Sequence, residues 1–213
     1  YPIEASYYPI RLSDTYALLF DCYVDDKVTP QPLSCLQNLK SLADYKNGNL
    51  GKTWMISGCL SPSMDAEAIA KEAYQQLTSK EWQNAKQGKF LGATVFEVWQ
   101  PPQKWQNVAE ENYHVLVFIY QNLQLMQKTT SFYKLWLQLF CYRNKIIWAY
   151  GESQKYKLQL ESLLLHIRDI ISNIENISLT DRFQEIQKIL VRCPNLFSKY
   201  VTQLSYLEML EKT

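Results

Sequence analysis

The chain has 213 residues, of which 47% are hydrophobic and 20% are charged, and its 22 Lys and Arg side chains nearly balance 21 Asp and Glu. This composition is that of a globular chain with a sizeable core, which excludes intrinsic disorder and low-complexity classes. A formal net charge of +1 gives no electrostatic footprint for a nucleic acid, so no nucleic-acid partner is expected.

Short strands and helices alternate in the first part of the chain. Residues 15–24 alternate on two largely apolar faces, which predicts a strand inside a sheet. Leucines at helical spacing over residues 33–42 predict a helix, and residues 52–60 predict a second strand. Ser63 can cap a second helix that carries its apolar residues between positions 69 and 77.

The following segments predict more strands. Residues 90–99 and 113–120 are a third and a fourth, and residues 135–142 and 146–150 flank a short polar connection that suits a hairpin. The predicted order is β-α-β-α-β-β-β-β. We therefore expect an α+β (mixed α/β) fold with a mixed sheet of about six strands and helices mainly on one face.

The sequence changes character near Gly151, because five of the six glycines and seven of the eight prolines precede that residue. We predict an α/β domain over residues 1–151 and a helical extension over residues 152–213. The extension is expected to hold three helices, about 153–177, 180–193 and 195–212. Their apolar stripes pack onto the sheet or associate with another chain in the manner of a coiled coil, and both alternatives stay open.

An α/β domain followed directly by a long helix resembles, in outline, the cytoplasmic part of bacterial magnesium channels of the CorA type. In that family such a helix leads to the membrane. The resemblance is architectural: the family's Gly-Met-Asn signature is absent from the sequence. No residue roles are carried over from it.

Three carboxylates, Asp21, Asp25 and Asp26, crowd the end of the first predicted strand. Carboxylates at such a position can hold Mg²⁺ or act as acid and base. The alternative is a solvated junction between strand and loop, because acidic side chains usually stay exposed. These residues are the metal candidates, and no cofactor is predicted.

Complete catalytic signatures are missing from the sequence, so an enzyme is not expected. The segment from Gly48 to Thr53 ends like a phosphate-binding loop, but Lys46 stands where that motif needs glycine. Only two histidines are present. His114 is predicted as a packed or hydrogen-bonded strand residue, and His166 as an interface or surface residue of the long helix.

Aromatic residues make up 14% of the chain, and Tyr and Trp favour interfaces because they join apolar area to a polar group. Trp99, Trp105 and Tyr113 surround a proline-containing loop and are candidates for binding a partner. Further candidates are the apolar residues Leu160, Ile167 and Ile174 of the long helix. A protein partner or self-association through the helices is therefore expected.

Five widely spaced cysteines without a metal-ligand pattern indicate a reducing, cytoplasmic compartment. No stretch approaches the roughly 18 apolar residues of a spanning helix. The chain begins without methionine and ends inside a helical pattern, which suggests a piece of a longer protein whose other part could supply a membrane anchor.

The leading functional hypothesis is a non-enzymatic interaction or regulatory domain. The alternative is a small-molecule or divalent-ion sensor, or an enzyme, that uses the acidic cluster.

Overall fold

The computed structural model describes residues 3–12, 15–24, 32–43, 48, 50–78, 80–111, 113–176 and 179–211. Within this part of the chain the fold is mixed α+β, with a four-stranded mixed sheet, a separate two-stranded sheet and six α-helices. The predicted fold class is confirmed at this level. The predicted single sheet of six strands is wrong.

The two-stranded sheet is an antiparallel hairpin of β1 (Ile3–Leu12) and β2 (Thr15–Val24). The register runs without interruption from Ile3 opposite Val24 to Leu12 opposite Thr15, and the Tyr7 and Phe20 rings stack at 4.7 Å. The predicted strand therefore exists, but outside the main sheet. The alternation of residues along a segment identifies a strand, but it does not show which other strands pair with it.

The main sheet follows in chain order, with its strands and helices at these bounds: α1 (Cys35–Ala43), β3 (Lys52–Cys59), α2 (Ala66–Thr78), β4 (Lys86–Phe90), β5 (Ala93–Gln100), a 3₁₀ turn (Trp105–Asn107), α3 (Val108–Glu111) and β6 (Tyr113–Tyr120). The strand order is β3-β6-β5-β4. Strand β6 runs parallel to β3 and antiparallel to β5, which in turn pairs antiparallel with β4. The strands predicted at 52–60 and 113–120 are confirmed, whereas the one predicted at 90–99 belongs to the β4–β5 hairpin.

Helices cover both faces of this sheet, so the prediction of helices mainly on one face is wrong. On one face α2 places Ala70, Tyr74 and Leu77 against alternate residues of β5 and β6. On the other face Met126 of α4 (Leu123–Thr130), with the start of the next helix, covers Leu116 and Phe118. Two covers are needed because every residue of β6 from His114 onward is buried.

The predicted strands at 135–142 and 146–150 are helical, because α5 runs from Tyr133 to Asn176 without a break. The half-buried residues Trp136 and Phe140 and the buried residue Asn144 recur at intervals of four, which is the period of one helix face. Apolar residues also occupy the exposed faces, including Leu135 and Ile146. Because apolar residues lie on every side of this part of α5, the sequence shows no helical period. This is why strands were predicted there.

The last helix, α6 (Leu179–Glu211), continues through Pro194. The two helices predicted on either side of that proline are therefore one, and the predicted three-helix segment consists of the end of α5 and α6. A proline removes one backbone donor and strains the preceding turn, and long helices can retain it as an internal irregularity.

Spatial contacts divide the chain into two compact units, Tyr1–Ile147 and Trp148–Thr213. The boundary between them falls inside α5. We call the second one the helical unit. Among the helices that the structure describes, none has the length and apolar character needed to cross a membrane.

The β4–β5 hairpin turns at Leu91 and Gly92, whose φ angles are 47° and 83°. Two positive φ angles are what a tight two-residue hairpin of this hand requires, and they favour Asn-Gly over Leu-Gly. A side chain at position 92 would also meet Leu125, because an added Cβ would lie 2.7 Å from its Cδ1. The turn therefore requires glycine at its second position and carries strain at its first.

We predict that Leu91→Asn raises the free energy of unfolding by about 1 kcal/mol, because Asn tolerates positive φ better than Leu. Half of the Leu91 side chain is exposed, so little packing is lost. Urea denaturation measures the change. The same substitution at the exposed helical residue Leu135 is the control, and it should lower stability by a few tenths of a kcal/mol. A stability loss at both positions would contradict the strain at Leu91.

Candidate functional site

An open groove of about 470 Å³ lies between the β4–β5–β6 part of the main sheet and the first turns of α5. We call it the α5 groove. Its walls are mostly aromatic and aliphatic, and its polar side chains gather at one end. The lining residues are Lys86, Gln87, Gly88, Lys89, Phe90, Val95, Glu97, His114, Leu116, Phe118, Trp136, Leu139, Phe140 and Arg143.

Strand alternation selects which residues face the groove. Residues 114, 116 and 118 of β6 share one face, and the register places Glu97 opposite Leu116 and Val95 opposite Phe118 on the same face. Lys86 of the edge strand β4 pairs with Glu97, and Phe90 pairs with Ala93. The groove face is thus set by the pairing of three neighbouring strands.

Aromatic rings form a connected wall along the groove. Trp136 contacts Phe90 and Phe118 with both ring centroids 5.3 Å away, and it stacks on Phe140 at 5.8 Å. Phe140 in turn meets the imidazole of His114 edge to face at 6.0 Å. Ring contacts of this kind add to the energy of apolar burial and fix the orientation of each ring.

His114 and Glu97 form a hydrogen-bonded pair at the polar end of the groove. The His114 side chain is only 2% exposed, and its Nε2 lies 2.9 Å from Oε1 of Glu97. The sequence predicted a strand histidine that is packed or hydrogen-bonded, and the structure shows the hydrogen bond. A carboxylate only accepts hydrogen bonds, so Nε2 carries the proton that it donates.

Burial lowers the pKa of His114 to about 4, and the positive charge of Arg143 acts in the same direction against the smaller effect of Glu97. The imidazole is therefore neutral at pH 7. Because Nε2 holds the proton, Nδ1 has a free lone pair and can accept a hydrogen bond. Nδ1 is buried, and no group in the part of the chain that the structure describes bonds to it.

Arg143 holds its guanidinium beside this pair. The group lies over the ring of Trp99, 5.2 Å from the centroid, and Nη1 approaches Oδ1 of Asn144 at a long 3.4 Å. Burial lowers the pKa of Arg143, while the Glu97 charge opposes this shift. Among the described residues, no carboxylate lies within 4 Å of the guanidinium. Trp99 thus contacts the guanidinium directly, whereas the charge of Glu97 acts on it from beyond 4 Å.

Further buried polar atoms on this face of the sheet, or on the helix packed against it, lack hydrogen-bond partners among the described residues. They are Oγ1 of Thr53, the hydroxyl of Tyr120 and Nε1 of Trp136. Thr53 is the neighbour of His114 across the parallel β3–β6 pairing. A buried polar group without a partner costs about 1–3 kcal/mol, so this face carries unused hydrogen-bonding capacity.

The predicted partner-binding aromatics lie at different places. Trp99 faces the polar end of the groove beneath Arg143, and Tyr113 packs on the opposite face, with Nζ of Lys80 5.2 Å from its ring centroid. Trp105 is half-buried in the 3₁₀ turn, and Pro102 is buried. The structure therefore does not bring the three aromatics together.

The predicted metal candidates are only partly described. Asp21 is exposed on β2, and Asp25 and Asp26 lie outside the described residues. In the part of the chain that can be assessed, no three His, Cys, Asp or Glu side chains cluster as metal ligands. The acidic-cluster hypothesis stays a prediction.

The helical candidates lie on α5. Leu160 is half-buried, Ile167 is 37% exposed, and the side chain of Ile174 lies outside the described set. Sequence reasoning missed Glu97, Trp136, Phe140 and Arg143. The last three share one face of a helix, at intervals of four and three residues, and recognising that helix would have grouped them.

Comparisons with family models, with curated proteins and with solved structures found no match for the chain.

We predict that His114 makes the fold sensitive to acid. The unfolded chain binds a proton at the ordinary histidine pKa of 6.5, whereas folded His114 binds one only near pH 4. The unfolded state thus binds more protons between these values, and acidification through this window lowers the free energy of unfolding by about 3 kcal/mol. Urea denaturation at a series of pH values measures the loss.

His114→Gln keeps a donor for Glu97 and lacks the titrating ring, so it should lose less stability on acidification. The exposed His166 provides the matched control, since His166→Gln should retain the full pH dependence. An unchanged pH dependence in His114→Gln would contradict the assignment.

Proposed function

We propose that this chain is a non-enzymatic interaction and regulatory domain that self-associates through its helical unit. The observation that carries the proposal is the number of large apolar side chains exposed on α6. Phe183 and Phe197 are 67% and 69% exposed, and Leu190 is 65% exposed. Contiguous apolar surface of this kind is typical of protein interaction sites.

One set of apolar residues of α6 follows the spacing of an association seam, which we call the α6 stripe. The sequence positions alternate at intervals of three and four residues along the helix, as in a coiled coil. The residues at these positions are Phe183, Ile186, Leu190, Cys193, Phe197, Tyr200, Leu204 and Leu207. Of those with a described side chain, all but the half-buried Leu207 are exposed.

Within the helical unit, α5 and α6 lie antiparallel and meet through other residues. The rings of Tyr156 and Tyr206 stack at 5.3 Å, and Nε2 of Gln203 donates to Oε1 of Gln159 at 2.9 Å. These contacts are aromatic and polar and leave most of the α6 stripe exposed. The hairpin of α5 and α6 is therefore half of a bundle.

A second copy of the chain is the partner that best completes this bundle. Two antiparallel hairpins related by a twofold axis form a four-helix bundle, the simplest symmetric way to bury both stripes. Residues 153–213 carry eight Lys and Arg against seven Asp and Glu, so two copies approach without strong repulsion. The proposed assembly is therefore a homodimer.

The test is light scattering on the full chain and on the double variant Leu190→Lys/Phe197→Lys. The wild-type chain should have twice the 25.1 kDa mass of the monomer, and the variant should be monomeric. Two substitutions in each copy change four side chains of the dimer, and each loses a burial free energy of about 1.5 kcal/mol. The dissociation constant of the dimer should therefore rise on the order of 10⁴-fold.

Asn195→Lys/Thr202→Lys is the matched control. It adds the same charge at exposed positions outside the α6 stripe and should remain dimeric. A wild-type chain that stays monomeric over a wide concentration range would overturn self-association. Equal dissociation of both variants would assign the effect to charge rather than to the stripe.

A further inference from the structure

The α5 groove has the composition of a site for a small amphipathic anion. One part of it is a wall of rings, Phe90, Trp136 and Phe140, in continuous contact. The other part holds a half-buried guanidinium, a buried imidazole and one carboxylate. Ligand pockets commonly combine a large apolar lining with a few convergent polar groups.

The guanidinium of Arg143 is prepared to bind a carboxylate. It lies over Trp99, and Trp99 is the direct cross-strand neighbour of His114 on the same face of the sheet. Within the described chain no carboxylate pairs with it at 4 Å or less. A planar guanidinium that a cation–π contact already holds against a ring loses less conformational freedom when it forms a two-pronged carboxylate pair.

The imidazole of His114 requires that a bound molecule also carry a hydrogen-bond donor near its carboxylate. Its Nε2 hydrogen is used by Glu97, so the buried Nδ1 offers only a lone pair. A bound molecule satisfies this atom if it donates a hydrogen bond. A hydroxyl on the carbon next to the carboxylate has the right chemistry. Arg143 lies over Trp99, Trp99 pairs with His114 across the strands, and the Arg143 charge acts on the imidazole, so the two groups belong to one end of the groove.

The charge of the lining favours an anion over a cation. Lys86, Lys89 and Arg143 are its basic residues, Glu97 is its acidic residue and His114 is neutral, so the described lining carries a net charge of +2. We propose that the α5 groove binds an α-hydroxy carboxylic acid with an aromatic or branched apolar side chain. The side chain lies on the ring wall, the carboxylate binds Arg143, and the hydroxyl donates to Nδ1 of His114.

This site lies in the Tyr1–Ile147 unit and does not depend on the proposed self-association. The two are tested by different variants and different measurements. If the chain proves to be monomeric, the proposed binding in the groove still stands. If the groove binds none of the probes, the proposed dimer still stands.

The experiment is calorimetric titration of the full chain with three matched probes: phenyllactate, phenylpropionate and phenyllactamide. Phenylpropionate lacks the hydroxyl, and phenyllactamide lacks the charge. We expect phenyllactate to bind best, phenylpropionate about fivefold more weakly for one lost hydrogen bond, and phenyllactamide about 10- to 100-fold more weakly for the lost ion pair. The indole NMR signal of Trp136 should shift on binding.

Variants assign each preference to its residue. Arg143→Gln should remove the preference for acid over amide, and His114→Gln should remove the preference for the hydroxy acid. The exposed Arg168 gives the matched control, since Arg168→Gln should leave all three affinities unchanged. Circular dichroism of each variant establishes folding, and the probe comparison on the wild-type chain stands even where a variant fails to fold.

Three results would overturn the proposal. The first is the absence of binding by all three probes. The second is equal affinity of the wild-type chain for acid and amide. The third is an Arg143→Gln chain that is folded and still prefers the acid.

Discussion

The complete burial of strand β6 is the constraint on which the rest of the structure depends. A strand buried on both sides needs a layer packed on each face of its sheet. Helix α2 packs on one face, and α4 with the start of α5 packs on the other. Strand β4 sits at the sheet edge, and every one of its residues is exposed. The α5 groove lies between this edge and α5. The site is thus a result of how the central strand is covered.

The same constraint gives the polar residues of that face their importance. A histidine in an otherwise apolar buried strand needs a partner, and Glu97 supplies one from the neighbouring strand. Atoms of Thr53, Tyr120 and Trp136 lack such partners among the described residues. Buried polar atoms without partners lower the stability of the fold, and ordinary core packing avoids them. Such atoms are characteristic of functional sites.

The sequence allowed some elements to be predicted and concealed others for physical reasons. Strand β6 and helix α2 were predictable because each has a clear pattern between punctuating residues. The first half of α5 was not, since Leu135, Leu139 and Ile146 fill its solvent faces with apolar side chains and remove the contrast that shows a helical period. The hydrogen bond between Glu97 and His114 depends on strand pairing, which no local pattern specifies. The groove therefore could not be predicted before the sheet order was known.

The β1–β2 hairpin has a consequence for how this chain behaves among its own copies. A ribbon of two strands has two edges, and each presents a row of backbone amides and carbonyls outward. Pro9 removes one amide from the row on β1, as a proline accepted in a sheet must face an edge. Strand β2 contains no proline, Asp21 is its only charged residue, and its apolar residues Tyr16 and Leu18 are exposed. Strand addition by another polypeptide, whether ordered assembly or aggregation during folding, would therefore begin along β2.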